Sequence, residues 1–133
     1  MKILCCLVLF ALVGCATEGY YLRKLSDDQL REVKTKTLVL GYYDLADERV
    51  RAEIDRRGLF TEREWELVRE RKISVGMSQV ALYAAWGRPS GESLHETRDG
   101  YRMQHSYGGY NGAVYIPMSF VYTENGRVTG WSK

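Results

Sequence analysis

Two dipeptides near the C-terminus, Asp99-Gly100 and Asn125-Gly126, do most to restrict what this 133-residue chain can fold into. A type I′ turn needs positive φ at both central positions. Asx-Gly supplies this, and between alternating apolar residues it marks a β-hairpin. The chain beyond Pro89 therefore reads as a three- to four-stranded antiparallel meander, with Gly108-Gly-Tyr-Asn-Gly112 as a flexible connection between the hairpins.

The part before Pro89 has helical punctuation instead. Ser26 and Gln29 have capping-box spacing, with Leu25 placed as a hydrophobic staple, and Leu30, Val33 and Thr37 follow at helical intervals to a stop near Gly41. A second helix is expected from Asp44 to Arg57, with Val50 and Ile54 one turn apart and Gly58 beyond its end. Thr61 and Glu64 form another capping box ahead of Trp65 and Val68. Gly76-Met77-Ser78 leads into a fourth helix capped by Ser78, with Val80 and Ala84 on one face and Gly87 and Pro89 at its stop. Helices followed by antiparallel strands make an α+β fold. The mixed charges Asp47, Glu48, Arg49, Arg51, Glu53, Asp55, Arg56 and Arg57 read as a solvated helical face laced with i,i+4 pairs.

Registers follow from the turns. If Asp99-Gly100 is a two-residue turn, His95 faces Gln104 and Leu94 faces His105, which puts the two histidines on opposite faces of the sheet. They cannot then share a metal, and His105 reads as a packed or edge histidine. Leu94, Tyr101 and Met103 fall on one face. If Asn125-Gly126 is the second turn, Glu124 faces Arg127, Thr123 faces Val128 and Phe120 faces Trp131. Phe120, Tyr122 and Trp131 then share a face with Met118, and Val121 and Val128 take the other. Either helices cover both faces, or an aromatic face or sheet edge receives a partner. Tyr101, Phe120, Tyr122 and Trp131 are the candidate partner surface. Tyr107, Tyr110 and Tyr115 add to the aromatic character of this region.

Catalytic patterns are sparse. Ser74, Ser78 and Ser90 lack a nucleophile-elbow context, and Gly108, Gly109 and Gly112 lack the strand-to-helix setting of a phosphate loop. Asp27-Asp28 sits at a helix start, where the dipole favours negative charge. The expectation is a non-enzymatic protein with no catalytic residues, no cofactor and no metal. Basic and acidic residues number 19 and 17, so no concentrated positive charge calls for nucleic acid.

The N-terminus states an address. Lys2 precedes an apolar run, Ile3–Val13, that is too short to span a bilayer but suits a secretory signal. Leu12-Val13-Gly14-Cys15 resembles a bacterial lipobox, in which residues 1–14 are removed and Cys15 becomes an acylated (diacylglyceryl, palmitoylated) first residue. Cys5 and Cys6 leave with the signal and Cys15 is consumed, so the mature chain carries no free thiol for disulfide, redox or thiolate-metal chemistry. Ala16 after the cysteine, in place of aspartate, resembles outer-membrane sorting. Residues 15–24 are expected as a short tether with Tyr20 and Tyr21, residues 25–71 as a helical extension and residues 72–133 as the helix-plus-sheet domain.

Gly76-Met77-Ser78, then Gly87-Arg88-Pro89, then Glu124-Asn-Gly-Arg-Val128 resembles the SmpA/OmlA family of BamE-like small outer-membrane lipoproteins over roughly Ile73–Trp131. The resemblance implies a helical pair on an antiparallel sheet and a role as an accessory subunit in outer-membrane β-barrel assembly. No partner- or lipid-binding residue carries over, and residues 25–71 have no counterpart. The expected function is a lipid-anchored, protein-binding module on the periplasmic face of the outer membrane, partnered by the membrane through Cys15 and by an envelope protein. The alternative is a binding or inhibitor module for a soluble periplasmic protein.

Overall fold

A computed structural model describes residues 18–111 and 113–133. The signal segment, with Leu12, Val13, Gly14, Cys15 and Ala16, and Gly112 lie outside the described residues. Among the described residues six helices come first: α1 (Glu18–Arg23), α2 (Asp27–Arg31), α3 (Thr35–Leu45), α4 (Glu48–Arg56), α5 (Glu62–Glu70) and α6 (Gln79–Trp86). Four strands follow: β1 (Gly91–Thr97), β2 (Gly100–Asn111), β3 (Val114–Glu124) and β4 (Arg127–Ser132). They form one antiparallel sheet in the order β1-β2-β3-β4, which is the α+β meander expected. The core lies between one sheet face and the helices: Val121, Thr123 and Val128 from the strands, Ala81, Leu82 and Ala85 from α6, Leu38 and Val39 from α3.

The capping boxes at Ser26/Gln29 and Thr61/Glu64 are both present, and Ser78 Oγ accepts from Ala81 N at 3.2 Å. Other helical boundaries differ from the sequence expectation. The helix expected from Ser26 to Gly41 is two helices, broken at Glu32–Lys34. Arg57 stabilises the break by donating to the α2 terminal carbonyls of Leu30 at 3.0 Å, which Val33 N also reaches, and Arg31 at 3.1 Å. Arg57 is held in turn by Glu53, which also takes a bidentate bond from Arg56. Glu53 is thus a buried anchor and not part of a solvated face. α4 begins at Glu48 and not at Asp44, with Asp47 as its cap, accepting from Arg49 N at 2.8 Å.

The expected tether is shorter than residues 15–24, because Glu18–Arg23 is helical and docks on α3. Gly19 N donates to Asp44 Oδ2 at 3.0 Å, and Leu22 is fully buried. This docking explains Gly41, which stops no helix: a Cβ there would lie 2.2 Å from Leu22 Cδ1. Helix propensity alone favours Gly41→Ala by about 1 kcal/mol. We expect a net loss of about 1–2 kcal/mol, because a fully buried Leu22 has no room to yield. Denaturant unfolding measures the loss, and a Gly41→Ala/Leu22→Ala double variant should cost less than the sum of the singles.

In the sheet, both hairpin registers depart from expectation. The first turn is Arg98-Asp99, with Thr97 paired to Gly100 and Leu94 to Met103, a slip of two residues. Gly100 serves a close approach: a Cβ on it would meet Asn125 Oδ1 at 2.0 Å, and that oxygen accepts from Tyr101 N. A two-residue slip conserves side-chain alternation, so His95 and His105 do stand on opposite faces. The second turn is at Asn125-Gly126 as expected, with φ of 48° and 79°. A bulge beyond it places Trp131 opposite Val121, so the expected face shared by Phe120, Tyr122 and Trp131 does not form. Trp131 lies on the Val121 face, Phe120 and Tyr122 on the other, and Tyr101 falls on the inner side with Met103 and His105. The expected flexible connection at Gly108 continues β2 as far as Asn111, which pairs with Val114.

Candidate functional site

The densest cluster of titratable groups lies where α3, α6 and the inner sheet face meet. His105 is fully buried at the centre of β2. Its Nδ1 lies 2.8 Å from Glu92 Oε2 on β1, its cross-strand partner, and its Nε2 lies 2.9 Å from Thr123 Oγ1 on β3. Glu92 Oε2 also accepts from the Tyr83 hydroxyl of α6 at 2.5 Å, and Oε1 accepts from Lys36 Nζ of α3 at 2.9 Å. Gln79 Nε2 donates to the Tyr83 oxygen at 2.9 Å, and Lys36 Nζ sits 4.9 Å above the Tyr83 ring.

Protonation follows from these contacts. Burial pushes Glu92 up, but bonds from Tyr83 and Lys36 and the nearby charges outweigh it and hold the carboxyl below its ordinary range. An ionised carboxylate only accepts, so His105 Nδ1 carries the proton and Nε2 accepts from the Thr123 hydroxyl. Burial lowers His105 further than Glu92 raises it, which keeps the imidazole neutral. Burial and the Glu92 bond raise Tyr83, which stays a phenol. Every group has a partner: among the described residues no buried side-chain polar atom lacks one. Both His105 nitrogens are committed inside the core, so the arrangement ties β1, β2 and β3 to α3 and α6.

The expected structural motif forms one continuous unit. Gly76, at φ 88°, donates N–H to Val128 O at 2.8 Å, and Met77 O accepts from Val128 N at 2.8 Å while its side chain enters the core. Ser78 N donates to Glu64 Oε2 at 2.8 Å, joining the start of α5 to the start of α6. Glu64 is pushed up by burial, but the Ser78 and Thr61 bonds prevail and lower it. Gly87 ends α6 and Pro89 is buried beyond it. Gly76, Met77 and Ser78 fasten the start of α6 to the β4 edge, and Gly87 holds its other end to Tyr107 of β2.

Among the described residues, the strands present two open surfaces. The outer sheet face carries a shallow concavity of about 470 Å³ lined by Ser93, His95, Arg102, Gln104, Tyr122 and Glu124. Arg102 and Glu124 pair there at 2.7 Å across exposed strands. The second surface is an arm. Beyond Ser106, β2 loses β1, and before Phe120, β3 has no β4, so Tyr107–Asn111 and Val114–Ser119 pair only with each other. Val114, Tyr115 and Ile116 are 65%, 55% and 47% exposed on it. Tyr107 secures its root, with its ring edge-on to Trp86 at 5.3 Å and its hydroxyl donating to Gly87 O at 3.2 Å.

The network around His105 was not legible as a set. The alternation of β1 put Glu92 and His105 on one face, but the paired register needed the corrected turn. No sequence spacing links either of them to Lys36 or Tyr83. The arm had a signal that was available: no Asp, Glu, Lys or Arg occurs from Met103 to Thr123 in a chain that is 27% charged. No family model, curated protein or solved structure matches the chain.

Proposed function

We propose that this chain is a lipid-anchored envelope protein whose folded part is a non-enzymatic binding module. It is held by acylated Cys15 on the periplasmic face of the outer membrane and presents its strands to other envelope components. The observation that carries the binding role is the exposed outer sheet face, with its concavity of about 470 Å³ lined by His95, Arg102, Gln104, Tyr122 and Glu124. The buried polar set around His105 supports the same reading, since its members are engaged with each other. Kinship with the SmpA/OmlA lipoproteins belongs to this proposal and rests on the residues Gly76-Met77-Ser78, Gly87-Arg88-Pro89 and Glu124–Val128. The anchor rests on Leu12-Val13-Gly14-Cys15.

Membrane fractionation tests the anchor. The natural chain should sediment with outer membranes and carry an acylated Cys15 by intact mass, while Cys15→Ser should appear in the soluble fraction. Equal solubility of the two forms would remove the anchor. For the binding role, crosslinking in intact cells followed by purification should recover an envelope protein joined through the strands. Crosslinks confined to soluble periplasmic proteins would favour a module for a soluble partner.

A further inference from the structure

We infer that the β2–β3 arm is a second membrane contact, resting in the bilayer interface beside the N-terminal anchor. The inference rests on the lipid-anchor reading and adds the part of the folded domain that meets the lipid. Its first support is position. Glu18, where the described chain begins, pairs with Arg88, in the turn between α6 and β1. Two residues on, the Ser90 N–H and hydroxyl both donate to Ser106 O, at 2.7 and 2.9 Å, at the root of the arm. Only residues 16 and 17 separate Glu18 from Cys15, a reach of at most about 11 Å. The anchor and the arm therefore leave the molecule from the same corner, and a bilayer holding Cys15 lies beside the arm's root.

The second support is chemistry. An arm of about five residue pairs extends roughly 17 Å. Among its described side chains, Tyr115 and the aliphatic Val114 and Ile116 are large and exposed, and no formal charge stands anywhere along it. Tyrosine among aliphatic residues suits the headgroup boundary, where the ring meets hydrocarbon and the hydroxyl meets water. The absence of Lys and Arg makes the contact independent of anionic lipid. The two outer edges of the arm carry backbone N–H and C=O groups that no strand pairs, so it cannot enter the dry hydrocarbon core. It should lie at the interface, where water still reaches those edges. Gly108 and Gly109, at φ 105° and 99°, form the bulge that sets the arm's departure from the sheet.

The test places an environment-sensitive fluorophore on Ile116→Cys in the full acylated chain, reconstituted into phosphatidylethanolamine–phosphatidylglycerol vesicles. Val75→Cys is the control, since Val75 is 64% exposed but lies next to Gly76 and β4, at the opposite end of α6 from Gly87. Nitroxide-labelled lipid should quench the Ile116 probe several-fold more than the Val75 probe and shift its emission to the blue. Phosphatidylcholine vesicles should give the same result. If the protein floats with vesicles but both probes behave as in water, the arm inference fails and the anchor stands. If intact mass shows no acyl group and neither flotation nor quenching occurs, both fail. An unacylated chain whose Ile116 probe still responds to vesicles would keep the arm and remove the anchor. A probe that responds in whole envelopes but never in pure lipid would assign the arm to a protein partner, adding a strand at its free edge, and would overturn the inference.

Discussion

Replacing Gly87 by alanine is expected to destabilise the protein by about 3 kcal/mol, from backbone strain plus overpacking. Gly87 follows α6 at φ 80° and ψ −160°, a region that L-residues with a Cβ scarcely enter. The new methyl would also meet the Tyr43 ring, 2.5 Å from Cε1 and 2.8 Å from Cδ1. Tyr43 cannot withdraw freely, because the Arg71 guanidinium stacks on its ring at 4.4 Å. Displacing Gly87 would also disturb the carbonyl that accepts from Tyr107, loosening the arm's root. Gly91→Ala is the matched control: no atom lies within 4 Å of its added Cβ, and a change within about 0.5 kcal/mol is expected. Chemical denaturation of the three proteins decides the matter. Equal midpoints for Gly87→Ala and the natural chain would mean that Gly87 is merely a convenient helix stop.

Truncating Glu92 to alanine should cost about 2–3 kcal/mol, because it leaves the fully buried His105 N–H without an acceptor and strips Lys36 and Tyr83 of theirs. Glu92→Gln keeps one oxygen acceptor and should cost about half as much. The pH dependence distinguishes this network from ordinary packing. His105 has a folded pKa below its unfolded value of 6.5, so below that value the unfolded chain binds more protons. Stability is fully present above pH 6.5 and declines as pH falls through it. Glu92 and Glu64 are held below 4.5, and Glu53, bonded by Arg56 and Arg57, down to about 2. Their contributions are present above 4.5 and are lost as pH falls further. Melting temperature should therefore be level near neutrality, fall below about pH 6.5 and fall again below about pH 4.5. Without Glu92 to favour the imidazolium, the first decline should be larger in Glu92→Gln than in the natural chain. A flat profile between pH 5 and 7 in both proteins would contradict the neutral, buried imidazole.

Much of the local structure could be read directly because its causes are local. Ser26 with Gln29, Thr61 with Glu64, and Ser78 with Ala81 are hydrogen-bonding units that span four residues each, and all three form. Asn125-Gly126 turns where its φ angles demand. Glycine was less transparent, because one residue type meets two different needs. Gly87 and Gly58 take positive φ at helix ends, as expected. Gly41 makes room for Leu22, and Gly100, itself at φ 138°, makes room for Asn125, partners distant in sequence. A reading based on turn chemistry alone misassigned both.

The expected shared face of Phe120, Tyr122 and Trp131 is lost for a related reason. Strict alternation from Asn125-Gly126 groups Phe120, Tyr122 and Trp131, but one extra residue in β4 sends Trp131 to the opposite face. A bulge is a tertiary decision: here it allows Val121, Thr123 and Val128 all to be buried under α6. The open aromatic and aliphatic surface, at Val114, Tyr115 and Ile116, then lies on the arm, just beyond the Gly108–Gly112 stretch expected as a flexible connection.

By itself, the sequence determined the order of helices before strands, the caps, the second hairpin turn and the opposite faces of the two histidines. Each depends on short-range hydrogen bonding, backbone φ or the two-residue period of a strand, which a two-residue slip leaves unchanged. Only the tertiary structure decided that α1 docks on α3, that Glu92 joins His105 to Lys36 and Tyr83, and that β2 and β3 outrun their neighbours to form the arm. Those outcomes rest on close approaches and shared burial between residues far apart in the chain, and no local pattern encodes them.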